Sequence, residues 1–335
     1  MGETLLSVKD LSVEFRVGGS WTPVVTDVSF DVARGQVVGL VGESGSGKSV
    51  SCFSVLRLLD QRVGRVARGS IEFKGRDLVT LDDRALSDVR GNEIGMIFQE
   101  PMTSLNPAFT VGMQIAEVVR RHRGGSRSAA RQRAVEVLDM VGIPKAAQRI
   151  HQYPHEFSGG MRQRVMIAMA LAVEPDLLIA DEPTTALDVT IQAQILDLLR
   201  EFAADLGMGV ALVTHDLGVV ADICDDVVVM YAGQVVEHAE CFDLFARPRH
   251  PYTAALMGSM PQVDGRGGET VIPGHPPLPT EYPTGCRFAP RCAHVRPACE
   301  AAPIPLLPTV TGSSRCIRVD ELALTPSRPA AEVAP

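Results

Sequence analysis

One loop between an apolar strand and a helix constrains this chain of 335 residues more than any other feature. Residues 38–50 read VGLVGESGSGKSV, in which an apolar run breaks at Gly42 and a helical pattern begins at Lys48. Four residues separate Gly42 from Gly47-Lys48-Ser49, which is the spacing of a phosphate-binding P-loop. A buried strand before this loop and a helix after it predict an α/β fold organised around a bound phosphate chain.

The residue types in this loop suit phosphate chemistry. Glycines let consecutive backbone N–H groups turn inward around a phosphate chain, which larger side chains would obstruct. The helix that follows directs the positive end of its dipole at the same phosphates. We expect Lys48 to reach the β- and γ-phosphates and the Ser49 hydroxyl to bind Mg²⁺, while Val50 is assigned no role. The predicted cradle comprises Gly42, Ser44, Gly45, Ser46 and Gly47.

Composition excludes several classes of protein. The content of 45% hydrophobic and 21% charged residues is typical of a globular protein, and the length suits about two domains. A net charge of −8 argues against a nucleic-acid-binding surface, and the basic stretch at 120–133 is interpreted as a solvated helical face. The start does not resemble a signal peptide, and no apolar run approaches the ~18 residues of a membrane span. We therefore expect a soluble, cytosolic chain that reaches a membrane only through partners.

Strand and helix patterns alternate along most of the chain. Residues 5–32 contain two runs typical of half-buried antiparallel strands, and the later alternation predicts a mainly parallel sheet with helices on both faces. Helical periodicity interrupts this order over about 100–165, which indicates an inserted helical subdomain. The predicted domains are a P-loop domain at 1–260, a proline- and cysteine-rich extension at 261–320 and a disordered tail at 321–335.

Two adjacent carboxylates follow the apolar strand at 177–181. Asp181 ends this strand and fits the second requirement of a P-loop enzyme, a carboxylate that holds Mg²⁺ directly or through water. Glu182 is placed to orient or deprotonate an attacking water molecule. We therefore predict Asp181 as a metal ligand and Glu182 as a catalytic residue.

A second anion-binding pattern lies between the P-loop and these carboxylates. Residues 157–164 read FSGGMRQR, with a serine and two glycines at the predicted start of a helix. A serine cap and exposed backbone N–H groups make such a helix start an anion site. Gln99 before this pattern and His215 after the carboxylates complete a specific set of polar residues.

Taken in order, these motifs resemble the nucleotide-binding subunits of ABC transporters over about residues 5–260. GESGSGKS resembles the Walker A motif, SGGMRQR the signature motif, LLIADEP the Walker B motif and Ala186-Leu187-Asp188 the D-loop. The resemblance implies ATP and Mg²⁺ as cofactors, with Gln99 as a catalytic residue and Mg²⁺ ligand and His215 as a catalytic switch residue. Further nucleotide contacts are implied for Phe15, which would stack on adenine, and for Ser158, Gly159, Gly160, Gln163 and Asp188.

A narrower resemblance extends to about residue 320. EPMTSLNP at 100–107, HPYT at 250–253 and PTGCRFAPRC at 283–292 are similar to the oligopeptide/dipeptide and related nickel importers. This branch implies a peripheral subunit at the cytoplasmic face of the membrane. Its expected partners are a second, identical or homologous ATPase subunit facing head to tail, two membrane-spanning permease subunits and, through them, an extracytoplasmic peptide-binding protein.

Two other classes of function compete with a peptide importer. A soluble ABC ATPase acting on nucleic acid or ribosomes usually carries two ATPase units or a long coiled coil, and this chain has neither pattern. An interaction module with a vestigial ATPase conflicts with the intact Lys48, Asp181, Glu182 and His215. A nickel or other small-solute importer remains an alternative, because the transported solute is selected by the partners. The choice between homodimer and heterodimer also stays open.

Four cysteines cluster in the predicted extension: Cys286, Cys292, Cys299 and Cys316. Their spacing does not choose a ligand, because structural zinc sites and ferredoxin-type runs usually begin with closer pairs. A reducing compartment disfavours disulfides. A proline-rich segment with little core of its own suits a metal staple. The similar importer extension carries a [4Fe–4S] cluster, so the resemblance implies a structural cluster, with Zn²⁺ or no metal as alternatives.

Overall fold

The computed structural model describes residues 2–100, 104–184, 187–259 and 272–324. The chain divides into two compact units. The helical unit comprises Met1–Leu6, Val32–Val37 and Thr80–Val213, and the P-loop unit comprises Ser7–Asp31, Val38–Val79 and Thr214–Pro335. Several predictions fall wholly or partly outside the described residues, namely residues 101–103 of EPMTSLNP, Ala186 of the D-loop motif, the domain boundary at 260/261 and, from 325 onward, the disordered tail.

The strands are β1 (Thr4–Val17), β2 (Ser20–Ala33), β3 (Val37–Val41), β4 (Gly64–Phe73), β5 (Arg76–Asp77), β6 (Ile94–Ile97), β7 (Leu177–Asp181), β8 (Gly209–Thr214), β9 (Asp226–Tyr231), β10 (Gln234–Glu240), β11 (Leu307–Thr309) and β12 (Gly312–Ser314). The α-helices are α1 (Lys48–Val55), α2 (Asp83–Val89), α3 (Val111–Arg123), α4 (Arg127–Met140), α5 (Ala146–Arg149), α6 (Gly159–Leu171), α7 (Val189–Leu206), α8 (Leu217–Ile223), α9 (Cys241–Ala246), α10 (Pro251–Gly258) and α11 (Pro297–Ala301). In the described chain, no helix combines the length and apolar character that crossing a membrane requires.

Parallel strands form the centre of the helical unit. β7 lies between β6 and β8, with Leu177 opposite both Ile94 and Gly209. Every residue of β7 and β8 is buried, as expected for parallel strands covered on both faces. The carboxyl end of β7 therefore delivers Asp181 to one edge of this sheet.

Two capped helices, α3 and α4, lie within the range of the predicted helical insertion. Thr110 caps α3 by accepting a hydrogen bond from the Met113 N–H, and Ser126 caps α4 through the Ala129 N–H. Each side-chain oxygen satisfies one of the backbone donors that a helix start leaves unpaired. Apolar residues of both helices face inward, namely Val111, Ile115, Val119, Ala130, Ala134 and Leu138.

The basic stretch at 120–133 is only partly the solvated face that its composition suggests. Arg123 donates hydrogen bonds to the Val173 carbonyl and to the Glu174 carboxylate. Arg133 donates to the Ala172 carbonyl and to the same carboxylate. These contacts tie the end of α3 and the middle of α4 to the chain after α6.

Two sheets organise the P-loop unit. One has the strand order β2-β1-β4-β5. In the other, β3 runs parallel to β9, with Val38 opposite Asp226, and β9, β10, β12 and β11 continue as antiparallel neighbours. β11 and β12 belong to the predicted extension, so the described part of that segment adds its strands to the same sheet as the P-loop strand.

The cysteine-rich segment is the described part of the predicted extension, residues 272–320. The sequence predicts that it buries few apolar side chains, and the structure corrects this expectation. Phe288 is 2% exposed and packs edge-on against Tyr231 and Tyr252, with ring centroids 5.2 and 5.4 Å away. Ile304 and Val319 are also buried. Because these apolar side chains are removed from water, hydrophobic burial contributes to holding the segment in place.

Candidate functional site

The P-loop curls around the ammonium group of Lys48. This residue opens α1, and its Nζ donates to the Gly42 carbonyl at 2.6 Å, to the Glu43 carbonyl at 3.0 Å and to the Ser46 hydroxyl at 3.3 Å. Its side chain is 5% exposed. A buried cation needs such partners, and the same position directs its charge into the loop that would receive phosphates.

Close packing explains why glycine occupies both ends of this loop. Gly42 has a φ of 149°, and a Cβ there would lie 2.1 Å from the Met230 carbonyl oxygen. Gly47 has a φ of 99°, and a Cβ there would lie 3.1 Å from a methyl group of Val25. A larger residue at Gly42 would clash with the β9 backbone, and both positions have a positive φ that favours glycine. Residues 42–47 therefore form a tight loop between β3 and α1, and their contacts with phosphate stay a prediction.

Residue 43 of this loop makes contacts that sequence reasoning missed. The Glu43 backbone N–H donates to the Tyr252 hydroxyl at 2.9 Å. Its carboxylate accepts hydrogen bonds from both terminal nitrogens of Arg291, at 2.8 and 3.1 Å. The one available sequence signal was an acidic residue inside a loop intended for anions, because such a charge requires a cationic partner.

The helical unit brings together two of the predicted catalytic residues. Asp181 ends β7 and is 2% exposed. Glu182 follows with a left-handed φ of 47°, and its N–H donates to the Val213 carbonyl at 2.9 Å. The Gln99 side-chain amide, just beyond β6, donates to the Glu182 carboxylate at 2.8 Å. Gln99 and Glu182 therefore converge at the carboxyl ends of parallel strands.

The predicted signature segment is the start of α6. Ser158 caps this helix by accepting from the Met161 N–H, so Gly159 and Gly160 form its first turn. A Cβ on Gly160 would lie 3.0 Å from Ile191, which keeps α6 close to the start of α7. Asp188 caps α7 through the Ile191 N–H at 3.0 Å.

Gln163 is buried within the same unit and does not face solvent. Its side-chain amide donates to the Pro183 carbonyl at 2.5 Å, one residue after Glu182. This hydrogen bond connects the start of α6 to the chain that follows β7. Its predicted nucleotide contact stays a prediction.

His215 and Phe15 lie in the P-loop unit. His215 is exposed between β8 and α8, beside Asp216, which caps α8 by accepting from the Gly218 and Val219 N–H groups. Phe15 is half-buried on β1, and a Cβ on Gly64 would lie 3.0 Å from its ring. The switch role of His215 and the adenine-stacking role of Phe15 stay predictions.

The four predicted cysteine ligands line one cavity of about 20 Å³, together with His250 and Phe288. Burial raises the pKa of the Cys286 thiol to about 11, and the other three cysteines nearby add to the shift. In the part of the chain that the structure describes, no three His, Cys, Asp or Glu side chains are arranged as a metal-binding group. The structure thus gathers four sulfur donors, which would have to move and lose protons to bind a metal.

Two family models match parts of the chain. Residues 25–185 match the family described as ABC transporter, and residues 236–299 match the C-terminal region of oligopeptide/dipeptide transporters. The first match contains the P-loop, Gln99, the signature segment and both carboxylates. The second contains α10, Phe288 and three of the four clustered cysteines. These matches confirm both resemblances that the motifs indicated.

Similar proteins are found among curated sequences. A Brucella melitensis protein named for peptide import and ATP binding is 52% identical over 335 residues, covering 96% of this chain and 99% of its own length. A Brucella abortus protein with the same kind of name is 51% identical over 314 residues, covering 93% of this chain and 94% of its own. The similarity therefore includes the cysteine-rich segment as well as the P-loop.

Solved structures share the fold. A dimeric, post-hydrolysis state of the ATP-binding cassette MJ0796, bound to ADP and Pi, superimposes with a TM-score of 0.64 at 28% identity, covering 71% of this chain and 99% of that one. CbiO1 from Clostridium perfringens, part of an ABC transporter complex, has a TM-score of 0.62 at 26% identity, covering 72% of this chain and 91% of its own.

Proposed function

This chain belongs to the ABC transporter family, in the branch with the oligopeptide/dipeptide transporter C-terminal region, and we propose that it hydrolyses ATP to energise a peptide importer. One observation carries the proposal. A single chain joins a complete ABC cassette to the peptide-importer C-terminal region, at 52% identity to a protein named for peptide import over nearly its whole length. A nickel or other small-solute importer is the alternative.

In this proposal, the phosphate-binding residues and the Mg²⁺-binding residues have separate tasks. The P-loop N–H groups bind the phosphate chain, and Lys48 neutralises part of its charge. The Ser49 hydroxyl, the Asp181 carboxylate and the Gln99 amide are oxygen ligands of the kind that Mg²⁺ prefers. When bound by these residues, Mg²⁺ would stabilise the charge on the transferring phosphoryl group.

Glu182 is the proposed base of the reaction. Its carboxylate orients the attacking water and accepts a proton from it. The Gln99 side-chain amide donates to this carboxylate at 2.8 Å, which restricts the orientation of the proposed base. His215 is proposed to hydrogen-bond to the γ-phosphate and to hold the water in line with it.

A second ATPase subunit completes each site in this proposal. The first turn of α6, with Ser158, Gly159 and Gly160, presents backbone N–H groups and a positive helix end to the nucleotide of the opposite subunit. ATP then favours the closed dimer through γ-phosphate contacts that ADP cannot make. Asp188 at the start of α7 lies beside this surface, since α6 and α7 meet at Gly160.

The helical unit offers a surface for the membrane-spanning permease subunits. Phe109 and Met113 are 46% and 57% exposed, and they line a groove of about 680 Å³ with Ile150 and His151. Arg120, Arg127 and Arg131 line the same groove, so it offers both apolar and basic contacts. A cytoplasmic segment of a permease is the proposed occupant, and the extracytoplasmic peptide-binding protein would join through the permeases.

The cysteine-rich segment is proposed to bind a metal centre. Four convergent cysteines within one small cavity support this assignment. An all-sulfur set suits a [4Fe–4S] cluster or, as the alternative, Zn²⁺. The centre would supply a structural crosslink between Cys286, Cys292, Cys299 and Cys316. The division into a 1–260 ATPase domain, a 261–320 extension and a 321–335 tail remains part of the same proposal.

Reconstitution tests the proposed function. The chain is assembled with candidate permease subunits in lipid vesicles that contain a candidate peptide-binding protein. Short peptides should then raise ATP hydrolysis and accumulate inside, while a Glu182→Gln assembly stays inactive. Stimulation by nickel without any response to peptides would select the alternative importer. No solute response with any permease pair would contradict an importer role.

A further inference from the structure

Glu43 is an acidic residue within the P-loop, the loop that would receive the phosphates of ATP. Its carbonyl faces the Lys48 ammonium at 3.0 Å, so the residue belongs to the P-loop lining. An uncompensated carboxylate there would repel the phosphate chain and would disfavour binding. The loop therefore needs a cation for Glu43 that is not Lys48, because Lys48 serves the phosphates.

Arg291 supplies that cation from a distant part of the chain. Both of its terminal nitrogens reach the Glu43 carboxylate, at 2.8 and 3.1 Å, in the fork geometry that makes such pairs strong. The Arg291 side chain is 6% exposed and that of Glu43 is 26% exposed. Because the pair is largely removed from water, solvent screens it little.

The Arg291 guanidinium is held in place by its remaining hydrogen bonds. Its Nε donates to the Pro273 carbonyl at 2.8 Å, and its terminal nitrogens also reach the Ile272 carbonyl and the Tyr231 hydroxyl. These acceptors fix the direction of the charge. An arginine with this many fixed partners can hold the Glu43 side chain in one position.

Tyr252 holds the backbone of the same residue. Its hydroxyl accepts the Glu43 N–H at 2.9 Å, and its ring packs on Tyr231 at 4.6 Å between centroids. Phe288 of the cysteine-rich segment packs against both of these rings. The N–H, the carbonyl and the carboxylate of Glu43 are thus all engaged.

A second arginine, Arg287, supports the P-loop near Ser46. Arg287 donates to the Ala232 carbonyl at 2.5 Å and to the Thr26 hydroxyl at 3.0 Å. The next residue, Gly233, donates its N–H to the Ser46 carbonyl at 2.9 Å. The cysteine-rich segment therefore contacts the P-loop directly through the Arg291–Glu43 pair. It contacts the loop indirectly through Arg287, whose partner Ala232 precedes Gly233.

We propose that Arg291 is a positioning residue for ATP binding. It neutralises the Glu43 carboxylate, so that this charge does not repel the phosphates of ATP. The segment that carries Arg291 is then a working part of the nucleotide site. This inference rests on the proposed function only in requiring that the P-loop binds ATP.

The test measures nucleotide affinity and steady-state kinetics of the full-length chain. Arg291→Ala should weaken ATP binding by about tenfold or more, because one partner of a shielded charge pair is left alone. KM for ATP should rise by the same factor while kcat changes little. The loss should be smaller for ADP, because ADP carries less charge for Glu43 to repel.

A second substitution separates charge compensation from simple structural support. Adding Glu43→Gln to Arg291→Ala should restore most of the ATP affinity, because the repelling charge is gone. Arg296→Ala is the matched control, because Arg296 lies in the same segment and pairs with Glu321 at the surface. The ATP affinity of this variant should equal that of the wild type.

The single variant Glu43→Gln keeps the inference testable if Arg291→Ala does not fold. It should bind ATP at least as tightly as the wild type. Wild-type affinity in Arg291→Ala, or no rescue by Glu43→Gln, would overturn the inference. A wild-type chain that binds no ATP would instead overturn the proposed function, so the two failures are distinguishable.

Discussion

The side-chain amide of Gln99 donates a hydrogen bond to the carboxylate of Glu182 at 2.8 Å, across 83 residues of sequence. Each residue follows the carboxyl end of a strand, and β6 and β7 are parallel neighbours. Because parallel strands end at the same edge of a sheet, their following residues meet there. The proposed base is thus linked to the segment that leads into the helical subdomain.

Glu182→Gln is expected to abolish ATP hydrolysis and to retain ATP binding. The amide keeps the size of the side chain and loses the carboxylate that accepts a proton, which is typically worth 10²–10⁴-fold in rate. Lys48→Ala should instead weaken nucleotide binding. Equilibrium binding and phosphate release, measured on both variants, check this. Hydrolysis near the wild-type rate in Glu182→Gln would show that another residue is the base.

Ser158→Arg should block the site whose P-loop lies on the opposite subunit. A large side chain at the start of α6 would obstruct the N–H groups of that helix end. Ser158→Arg and Lys48→Ala chains should each be inactive alone. Mixed together, they should regain activity, because a mixed dimer holds one intact site. Full activity of Ser158→Arg alone, at concentrations too low for dimerisation, would refute the shared site.

Protein purified without oxygen should be brown and should contain about four iron atoms per chain. Cys292→Ser should lower the iron content and raise protease sensitivity within 272–324. Cys52→Ser, a buried cysteine outside the group, is the control. Stoichiometric zinc without iron would contradict the iron–sulfur cluster but would support a metal crosslink. If neither metal is found and the four thiols titrate freely, both the cluster and the metal crosslink are refuted.

Glu174→Gln should destabilise the helical unit at neutral pH and much less in acid. Hydrogen bonds from Arg123 lower the pKa of Glu174 below its usual 4.5, with Arg133 adding to the effect against partial burial. The carboxylate therefore stabilises the fold above about pH 4.5, and this contribution is lost as the pH falls through the lowered pKa.

The expected difference for Glu174→Gln is about 1 kcal/mol at pH 7, since the pair is half exposed and solvent screens it. Denaturant unfolding of the wild type and the variant from pH 7 to pH 3 measures it, with Glu201→Gln on α7 as the control. A difference that stays constant with pH would contradict the assignment.

Phe288→Ala should destabilise the P-loop unit by about 3 kcal/mol, the usual cost of truncating a buried phenylalanine. The ring packs against Tyr231 and Tyr252, so its loss leaves a cavity beside the aromatic group that holds Glu43. Thermal unfolding and limited proteolysis measure the effect. Phe242→Ala, at a site 66% exposed, should change little. Equal stability of the two variants would mean that the segment is held by other contacts.

Much of this fold was predictable because its signals are local. The strand Val37–Val41 and the helix start at Lys48 lie where the pattern predicts them. Ser158 caps α6 and Gly207 ends α7, as their residue types indicate. Caps, turns and apolar periodicity depend on neighbours within a few residues, so one sequence is enough to read them.

Other features were invisible because local sequence contains no record of distant neighbours. The pairing of β12 with β10 depends on register, and the partial burial of 120–133 depends on Glu174, 41 residues beyond Arg133. From composition, the cysteine-rich segment was predicted to bury few apolar side chains. Its apolar side chains are buried against strands and helices that lie far away in sequence.

The sequence by itself determined the P-loop pattern, the order of the predicted motifs and the family, because each is carried by short patterns of particular residue types. Only the tertiary structure decided what surrounds them. Arg291 reaches Glu43 across 248 residues, and Gln99 reaches Glu182 across 83. The physical reason is that an ion pair or hydrogen bond depends on distance in space, which the folded strands and helices set.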